Sequence, residues 1–250
     1  CLNAGETALQ ALGADLPAPE TIINELADRF DGPELSPAWH RDLHEGTSWA
    51  GILDGRLCVQ GNTYGYAHLR RELGVDNVSA QCLVLRAASG GMDAWGPSLF
   101  LVWPNGQYVQ ASPGASQGKF FYLVSGAGNR TGSAINRQPV AGWFPYAANW
   151  VKIRLTPETI LCCGSADGKT WSEDWEVRRD ASHAGPPQWL MLGNGSPGKQ
   201  PLLKNVHPQH FSPSSAAAWF FSDLVVGRES ARPVKSLSTG GGHRSEERRV

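Results

Sequence analysis

The stretch "WVKIRLTPETILCCGSADGKTW" (residues 150–171) carries the clearest structural signal in the chain. Apolar and charged side chains alternate along its first part: Val151, Lys152, Ile153, Arg154 and Leu155. This period of two is typical of a half-buried strand. A second apolar run follows, and Asp167-Gly168 then interrupts it, which is a strong hairpin signal because glycine supplies the positive φ of such turns. The stretch therefore predicts consecutive antiparallel strands joined by tight turns.

Short apolar or alternating runs of this kind recur along the chain and are bounded by glycine, proline, asparagine and aspartate. The other runs are 55–61, 78–87, 98–103, 107–111, 119–125, 189–193 and 219–227. The run "SLFLVW" (98–103) is apolar at nearly every position, as expected for a central strand covered on both faces. No long helical period follows residue 30. The pattern predicts an all-β fold in which two antiparallel sheets pack as a sandwich.

The two ends of the chain differ from the middle. Residues 1–27 carry weak helical signals interrupted by Pro17 and Pro19, so we expect a lead-in segment with a short helix. The sandwich is expected over residues 28–229. The remaining residues, 230–250, have mixed charge and no apolar period, which indicates a disordered or non-native tail.

The composition excludes some classes of partner. Charged residues make up 18% of the 250 residues, and the formal net charge is −1. This balance gives no electrostatic reason to expect nucleic acid or an acidic membrane as a partner. No apolar run approaches the roughly 18 residues needed to cross a bilayer, so no transmembrane segment is predicted. The oligomeric state does not follow from the sequence.

The five cysteines have no spacing suited to a zinc site. We expect small buried hydrophobes, with one bridge among Cys58, Cys82 and a member of the Cys162-Cys163 pair as the alternative. Cys1 begins the chain given. A truncated fragment and a lipid-anchored exported protein are both consistent with it, and Leu2 is not the small residue expected after a lipidated cysteine.

The acidic stretch "GSADGKTWSEDWE" (164–176) invites a catalytic interpretation. Its first half resembles the aspartate box of sialidases, a structural turn, but lacks one residue between the aspartate and the glycine. Its second half compares with the Glu-x-Asp-x-Glu strand of laminarinase-type glycoside hydrolases. On a regular strand Asp174 and Glu176 would share one face, but the third carboxylate of that triplet is missing. We therefore interpret the stretch as a turn followed by surface charges and keep Asp174 and Glu176 as weak catalytic candidates.

The segment "DRFDGPELSPAW" (28–39) resembles the opening strand of concanavalin A-like jelly-roll modules in bacterial exported proteins. The shared residues are Asp28, Phe30, Gly32, Leu35 and Trp39. The stretches "DGRLCV", "WVKIRLT", "SADGKTW" and "FSDLVVG" also resemble elements of these modules, and the C-terminal module of family 43 β-xylosidases opens similarly. The resemblance implies a lectin/glucanase jelly roll, secreted or at the cell surface, in which sugars lie in the concave groove or at its rim. It also allows a structural calcium, but no acidic cluster here matches a calcium loop, so no cofactor is predicted.

A sugar ring has an apolar face and a rim of hydroxyls, so proteins bind it with aromatic planes and polar side chains. The main prediction is a non-catalytic carbohydrate-binding module whose partner is a polysaccharide or other glycan. The candidate ligand-binding residues are Trp95, Tyr108, Gln110, Trp143, Phe144, Tyr146, Lys152 and Arg154. Trp39, Trp171 and Trp219 are instead expected to cap the core.

Two alternatives stay open at this point. The first is a glycoside hydrolase or lyase on the same fold, with Asp174 and Glu176 as acid and nucleophile in either order. The second is a structural or protein-interaction module, which fold alone does not distinguish from a lectin.

Overall fold

The structure is a computed structural model that describes residues 21–43, 49–60, 67–86, 97–113, 119–125, 130–135, 148–165, 167–194 and 218–229. These residues belong to one compact unit, Pro19–Glu229. They contain fifteen strands and one short 3₁₀ helix, Ala181–His183. In chain order the strands are β1 (Thr21–Ile22), β2 (His40–Leu43), β3 (Trp49–Leu53), β4 (Arg56–Gln60), β5 (Ala67–Glu72), β6 (Val78–Arg86), β7 (Ser98–Val102), β8 (Tyr108–Ser112), β9 (Lys119–Val124), β10 (Arg130–Ile135), β11 (Ala148–Leu155), β12 (Thr159–Ser165), β13 (Ser172–Arg178), β14 (Trp189–Asn194) and β15 (Ala218–Arg228).

The strands form two antiparallel sheets. The eight-stranded sheet has the order β13-β12-β11-β6-β15-β4-β3, with β1 paired to β15 beside this path. The seven-stranded sheet has the order β10-β9-β8-β7-β14-β5-β2. Strands distant in sequence are neighbours in both sheets, as the pairing of β15 with β1, β4 and β6 shows. The predicted all-β, two-sheet jelly roll is confirmed.

The core lies between the two sheets and follows the alternation read from the sequence. Val151, Ile153 and Leu155 of β11 are fully buried and pack in one cluster with Leu99 and Leu101 of β7. Because successive side chains of a strand point to opposite faces, Lys152 and Arg154 lie on the outer face of the eight-stranded sheet. The predictions for "WVKIRLT" are confirmed.

Strand β7 is the middle strand of the seven-stranded sheet and is covered on both faces, as its unbroken apolar sequence predicts. Phe100 and Val102 point away from the core between the sheets and join a second buried cluster with Tyr108, Leu123 and Met191. We call the side of the sheet that carries this cluster the outer face of the seven-stranded sheet.

The hairpin between β3 and β4 turns at Asp54 and Gly55, which have φ values of 51° and 67°. Positive φ at both central residues is the requirement of the tight hairpin turn that Asp-Gly favours. The predicted Asp-Gly turn before "RLCV" is confirmed.

The lead-in segment differs from the prediction in its described part. Residues 21 and 22 form strand β1, which pairs with β15, and a turn follows at 24–26 instead of a short helix. The backbone amide of Ile23 donates to the carbonyl of Val226 at 2.8 Å, while Ile23 and Leu26 pack against the core. Pairing with a central strand thus overrides the weak helical propensity. Residues 1–20 and 230–250, including Cys1, lie outside the described residues, so the domain limits stay a prediction.

The motif of residues 28–39 is built around the carboxylate of Asp28. One of its oxygens accepts the backbone N–H of Phe30 at 2.8 Å, and the other accepts the indole N–H of Trp39 at 2.9 Å. The two aromatic rings are 5.6 Å apart and buried. The expected opening strand is reduced to one bridge between Asp28 and Leu224, because the carboxylate bends the chain so that both rings reach the core.

The four described cysteines, Cys58, Cys82, Cys162 and Cys163, are buried, and no disulfide joins any two of them. Cys162 belongs to the core between the sheets, and its neighbour Cys163 lies on the opposite face of β12. Burial raises the pKa of Cys58 to about 12, so its thiol is unreactive at neutral pH. The prediction of small buried hydrophobes is confirmed for these four residues.

Candidate functional site

The acidic stretch that invited a catalytic interpretation begins with a closed turn. The Asp167 carboxylate accepts the backbone N–H groups of Lys169 and Thr170 at 2.8 and 2.7 Å. The hydroxyl of Ser165 donates to the same carboxylate and accepts the backbone N–H of Gly168. The Ser165 and Asp167 side chains are therefore used to hold the turn, which gives Asp167 a structural role.

These hydrogen bonds hold the pKa of Asp167 well below its usual range, with the Thr170 and Lys169 amides as the largest causes. A lowered pKa stabilises the fold above the ordinary carboxyl pKa, and the contribution is lost as the pH falls. Asp167→Asn is therefore expected to melt at a lower temperature than the wild type at pH 7. In a thermal denaturation series from pH 7 to about pH 2, the two melting temperatures should begin to converge only below the ordinary carboxyl pKa of 3.8 and continue to converge as the pH approaches the lowered pKa. A constant difference across that range would contradict this role.

The catalytic candidates Asp174 and Glu176 lie on β13, the edge strand of the eight-stranded sheet. Trp175 between them packs against the core, with its ring 6.4 Å from that of Tyr122, and Glu176 is exposed. The register shifts opposite Cys162 and Cys163, so Asp174 is an extra residue with no Cα partner on β12. This bulge interrupts the alternation from which a shared face was predicted.

Lys152 and Arg154 lie on the outer face of the eight-stranded sheet, on the other side of the core from Tyr108 and Gln110. The Lys152 ammonium is 4.3 Å from the centre of the Trp171 ring. The Arg154 guanidinium binds both carboxylate oxygens of Glu229, at 2.9 and 2.5 Å. Both cations already have partners on the outer face of the eight-stranded sheet, where a bidentate pair of this kind is structural.

Tyr108 and Gln110 lie on the outer face of the seven-stranded sheet, so the structure does not bring them together with Lys152 and Arg154. Four other predicted ligand-binding residues, Trp95, Trp143, Phe144 and Tyr146, lie outside the described residues. Of the tryptophans expected in the core, Trp39 and Trp219 are there. Trp171 is not, because it is partly buried beneath Lys152 instead.

A row of side chains crosses the outer face of the seven-stranded sheet at right angles to its strands. Cα pairing joins His40 to Arg70, Arg70 to Met191, Met191 to Phe100, and Phe100 to Gln110. We call these five residues the outer row. Arg70 and Gln110 are three strand spacings apart, or about 14 Å.

Gln110 and Arg70 each carry a buried nitrogen or oxygen without a hydrogen-bond partner. The Gln110 side chain is 1% exposed; its amide nitrogen donates to the Ser98 hydroxyl at 2.8 Å, and its Oε1 has no partner. The Nε of Arg70 is likewise buried and forms no aligned hydrogen bond. Buried polar groups are nearly always hydrogen-bonded, so each exception requires an explanation.

Trp189 provides an aromatic surface beside the outer row. It is partly exposed, with the Arg70 guanidinium 4.4 Å above its ring and the imidazole of His40 edge-on at 6.4 Å. The Asp42 carboxylate lies 3.0 Å from Arg70 Nε. Burial raises the pKa of Asp42 above its ordinary value, while Arg70 and then His40 lower it in part. Trp189, Arg70, His40 and Asp42 thus form one cluster at one end of the row.

Sequence reasoning identified Gln110 and Tyr108 but not Arg70, Trp189, His40 or Asp42. The signal that was available is the sequence "HLRR" (68–71) in β5, where His68 and Arg70 share a face. This signal was hard to recognise because Arg71, the next residue, breaks the apolar alternation of the strand. Arg71 points inward, with its guanidinium 5.2 Å from the Trp39 ring.

Two other features, a metal-binding cluster and a membrane-spanning helix, do not occur among the described residues. The described ranges contain no group of three or more histidine, cysteine or acidic side chains placed to hold a metal ion. Among the same residues, no helix is long and apolar enough to span a lipid bilayer. The absence of a cofactor stays a prediction.

Comparison with known proteins identifies the class of fold. No protein-family profile and no curated protein sequence matches the chain. Solved structures do match, among them the catalytic domain of an endo-1,3-β-glucanase (laminarinase) from Thermotoga petrophila RKU-1. That match has a TM-score of 0.58 at 10% identity and covers 86% of this chain and 100% of the other. The chain has the concanavalin A-like jelly-roll fold.

Two further jelly rolls match at similar distance. The endo-β-1,3-glucanase from Pyrococcus furiosus has a TM-score of 0.57 at 14% identity, covering 82% of this chain and 94% of that one. The GH43 BlXynB protein from Bacillus licheniformis has a TM-score of 0.55 at 14% identity, covering 81% of this chain and 39% of that one. The predicted resemblance to glucanases and to a family 43 module is confirmed at the level of fold.

Proposed function

We propose that the chain recognises a polysaccharide on the outer face of its seven-stranded sheet. The observation that carries the proposal is the cluster at one end of the outer row, where the Arg70 guanidinium lies over the partly exposed ring of Trp189. Asp42 lies beside Arg70 Nε, and the terminal nitrogens of Arg70 can donate to sugar hydroxyls. Trp189 offers the apolar plane for a sugar ring.

The other outer face provides a useful contrast. On the eight-stranded sheet, Arg154 is saturated by Glu229 and Lys152 covers Trp171. Both cations therefore already have partners within the protein. The contrast favours the Trp189, Arg70 and His40 end of the outer row over Lys152 and Arg154 as the contact surface, since Tyr108 and Gln110 are buried.

The names of the structural neighbours favour the alternative prediction, a glycoside hydrolase. Such enzymes use two carboxylates about 5–9.5 Å apart. The described acidic residues of this face are Asp42 and Glu72. Asp42 pairs with His68, four residues before Glu72 on β5, so the two lie about 13 Å apart at the strand rise. The side chains therefore support recognition more directly than cleavage, although the raised pKa of Asp42 suits a general acid.

Trp189→Ala is expected to weaken polysaccharide binding by about 10- to 30-fold, because a buried aromatic contact contributes about 2 kcal/mol. The measurement is calorimetric titration of the full chain with soluble laminarin, xylan and mannan. Trp171→Ala is the matched control, since this partly buried tryptophan lies on the opposite sheet, and its affinity should equal that of the wild type. Equal losses in both variants would contradict the proposed face.

Gln110→Met tests the limit of the contact surface. The Gln110 side chain is buried, so affinity should be retained. The loss of its hydrogen bond to Ser98 is offset by removal of an unsatisfied acceptor, so the melting temperature should change little. The same samples are assayed for newly released reducing sugar ends. Release that Asp42→Asn, Asp174→Asn or Glu176→Gln abolishes would replace recognition by hydrolysis. No binding and no release would leave the structural or protein-interaction module.

A polysaccharide partner is consistent with the predicted location outside the cell or at its surface, which stays part of the proposal. The lipid anchor at Cys1 lies outside the described residues and stays a prediction.

A further inference from the structure

We propose that the polysaccharide carries an anionic group, a carboxylate or a sulfate, which the guanidinium of Arg70 binds. The inference rests on the proposed function and specifies the class of glycan. Its basis is the difference between Arg70 and the other arginines of the described structure.

Four other arginines that are shielded from solvent donate to a defined acceptor. The acceptors are the Ala50 carbonyl for Arg41, the Glu25 carbonyl for Arg71, the Glu229 carboxylate for Arg154, and several carbonyls with Asp76 for Arg179. Arg70, whose side chain is only 21% exposed, has the Asp42 carboxylate beside its Nε at 3.0 Å. The four N–H groups of its two terminal nitrogens are thus left for a partner.

The position of Arg70 suits an incoming anion. Asp42 lies beside Nε, at 3.0 Å, which leaves the two terminal nitrogens as a fork. The Trp189 ring supports the plane of the guanidinium from one side at 4.4 Å. A planar fork held in this way matches the two oxygens of a carboxylate or sulfate. A neutral hydroxyl would satisfy only one of these donors.

Two carboxylates near the fork, Asp42 and Glu72, would repel an anion, but their effect is limited. Asp42 is buried against the guanidinium and its pKa is raised by burial, while the charge of exposed Glu72 is screened by solvent. His40, which is exposed, is the Cα partner of Arg70 across β2 and β5. Glu72, the next residue of β5 on this face, is exposed and two positions from Arg70, about 7 Å along the strand.

The test uses the full chain with laminarin and xylan, each in neutral form and as its sulfate ester. We expect the sulfate ester of at least one polymer to bind at least tenfold more tightly than its neutral form. Arg70→Gln should abolish this preference, because affinity for the sulfate ester should fall at least tenfold more than affinity for the neutral polymer. Arg70→Lys, which keeps the charge but not the fork, should retain only part of it.

Arg56→Gln is the matched control, because Arg56 is exposed on β4 of the other sheet and the charge change is identical. A sulfate preference that survives in Arg70→Gln, or that Arg56→Gln reduces equally, would overturn the inference by showing general attraction to positive charge. Equal affinity for neutral and sulfated polymers would also overturn it while leaving the proposed function intact. Binding to neither form of either polymer would remove the proposed function itself.

Discussion

Replacing Arg179 with methionine is expected to lower the free energy of unfolding by about 3–5 kcal/mol, because three backbone carbonyls and a carboxylate lose a charged hydrogen-bond donor. The Arg179 side chain is 5% exposed and donates to the carbonyls of His183 and Thr156 at 2.6 and 3.0 Å, to the carbonyl of Gly185, and to the Asp76 carboxylate at 2.9 Å. Methionine retains the apolar stem and removes every donor. Urea denaturation measures the loss.

This arginine joins segments that are far apart in sequence: the connection after β13, the turn between β11 and β12, and the residues before β6. The Trp103 indole donates to the same Gly185 carbonyl at 2.9 Å and packs edge-on against His183, so the turn after β7 is tied in as well. Arg178→Met is the control, since Arg178 is exposed on β13, and a change within about 0.5 kcal/mol is expected. Similar losses in both variants would refute the role assigned to Arg179.

Gly193→Ala is expected to cost about 4 kcal/mol or more, because overpacking and backbone strain act together. Gly193 of β14 has φ 153°, and a Cβ there would lie 2.0 Å from the Ala67 carbonyl oxygen and 2.8 Å from His68 Cα. Both contacts are backbone atoms of the paired strand β5, so no side-chain rotation relieves them. We expect a large fall in melting temperature and loss of soluble protein.

Gly185→Ala measures the cost of backbone strain in the absence of a steric clash. Gly185 has φ 72°, and a Cβ there meets nothing within 4 Å. The expected cost is that of placing a side chain in the left-handed region, about 1–2 kcal/mol. If the two variants lose equal stability, the close approach of β14 and β5 is not what requires glycine at position 193.

The fold was predictable because it depends on local patterns. Alternation in "WVKIRL" determined which side chains of β11 enter the core, and Asp-Gly marked the turn between β3 and β4. The bulge at Asp174 was not predictable, since it follows from how β12 and β13 pair. Strand β1 was not predictable for a similar reason: Thr21 and Ile22 pair with β15, which lies some two hundred residues away in sequence.

The candidate site was only partly predictable. A sequence shows which residues of one strand share a face, but it does not show which strands become neighbours. Gln110 was selected for its residue type, and its relation to Arg70 arises only through the intervening strands β14 and β7. For the same reason, Lys152 and Gln110 were expected together and lie on opposite sides of the sandwich.

The central position of β15 bears on how the protein is made. This strand pairs with β1, β4 and β6, yet it is the described strand that leaves the ribosome last. Until residues 218–228 have emerged, β4 and β6 lack the neighbour that lies between them in the finished sheet, and their edges stay open to other chains. Folding of this sheet must therefore wait for nearly the whole described chain to be translated, so we expect a slow, aggregation-prone phase during synthesis.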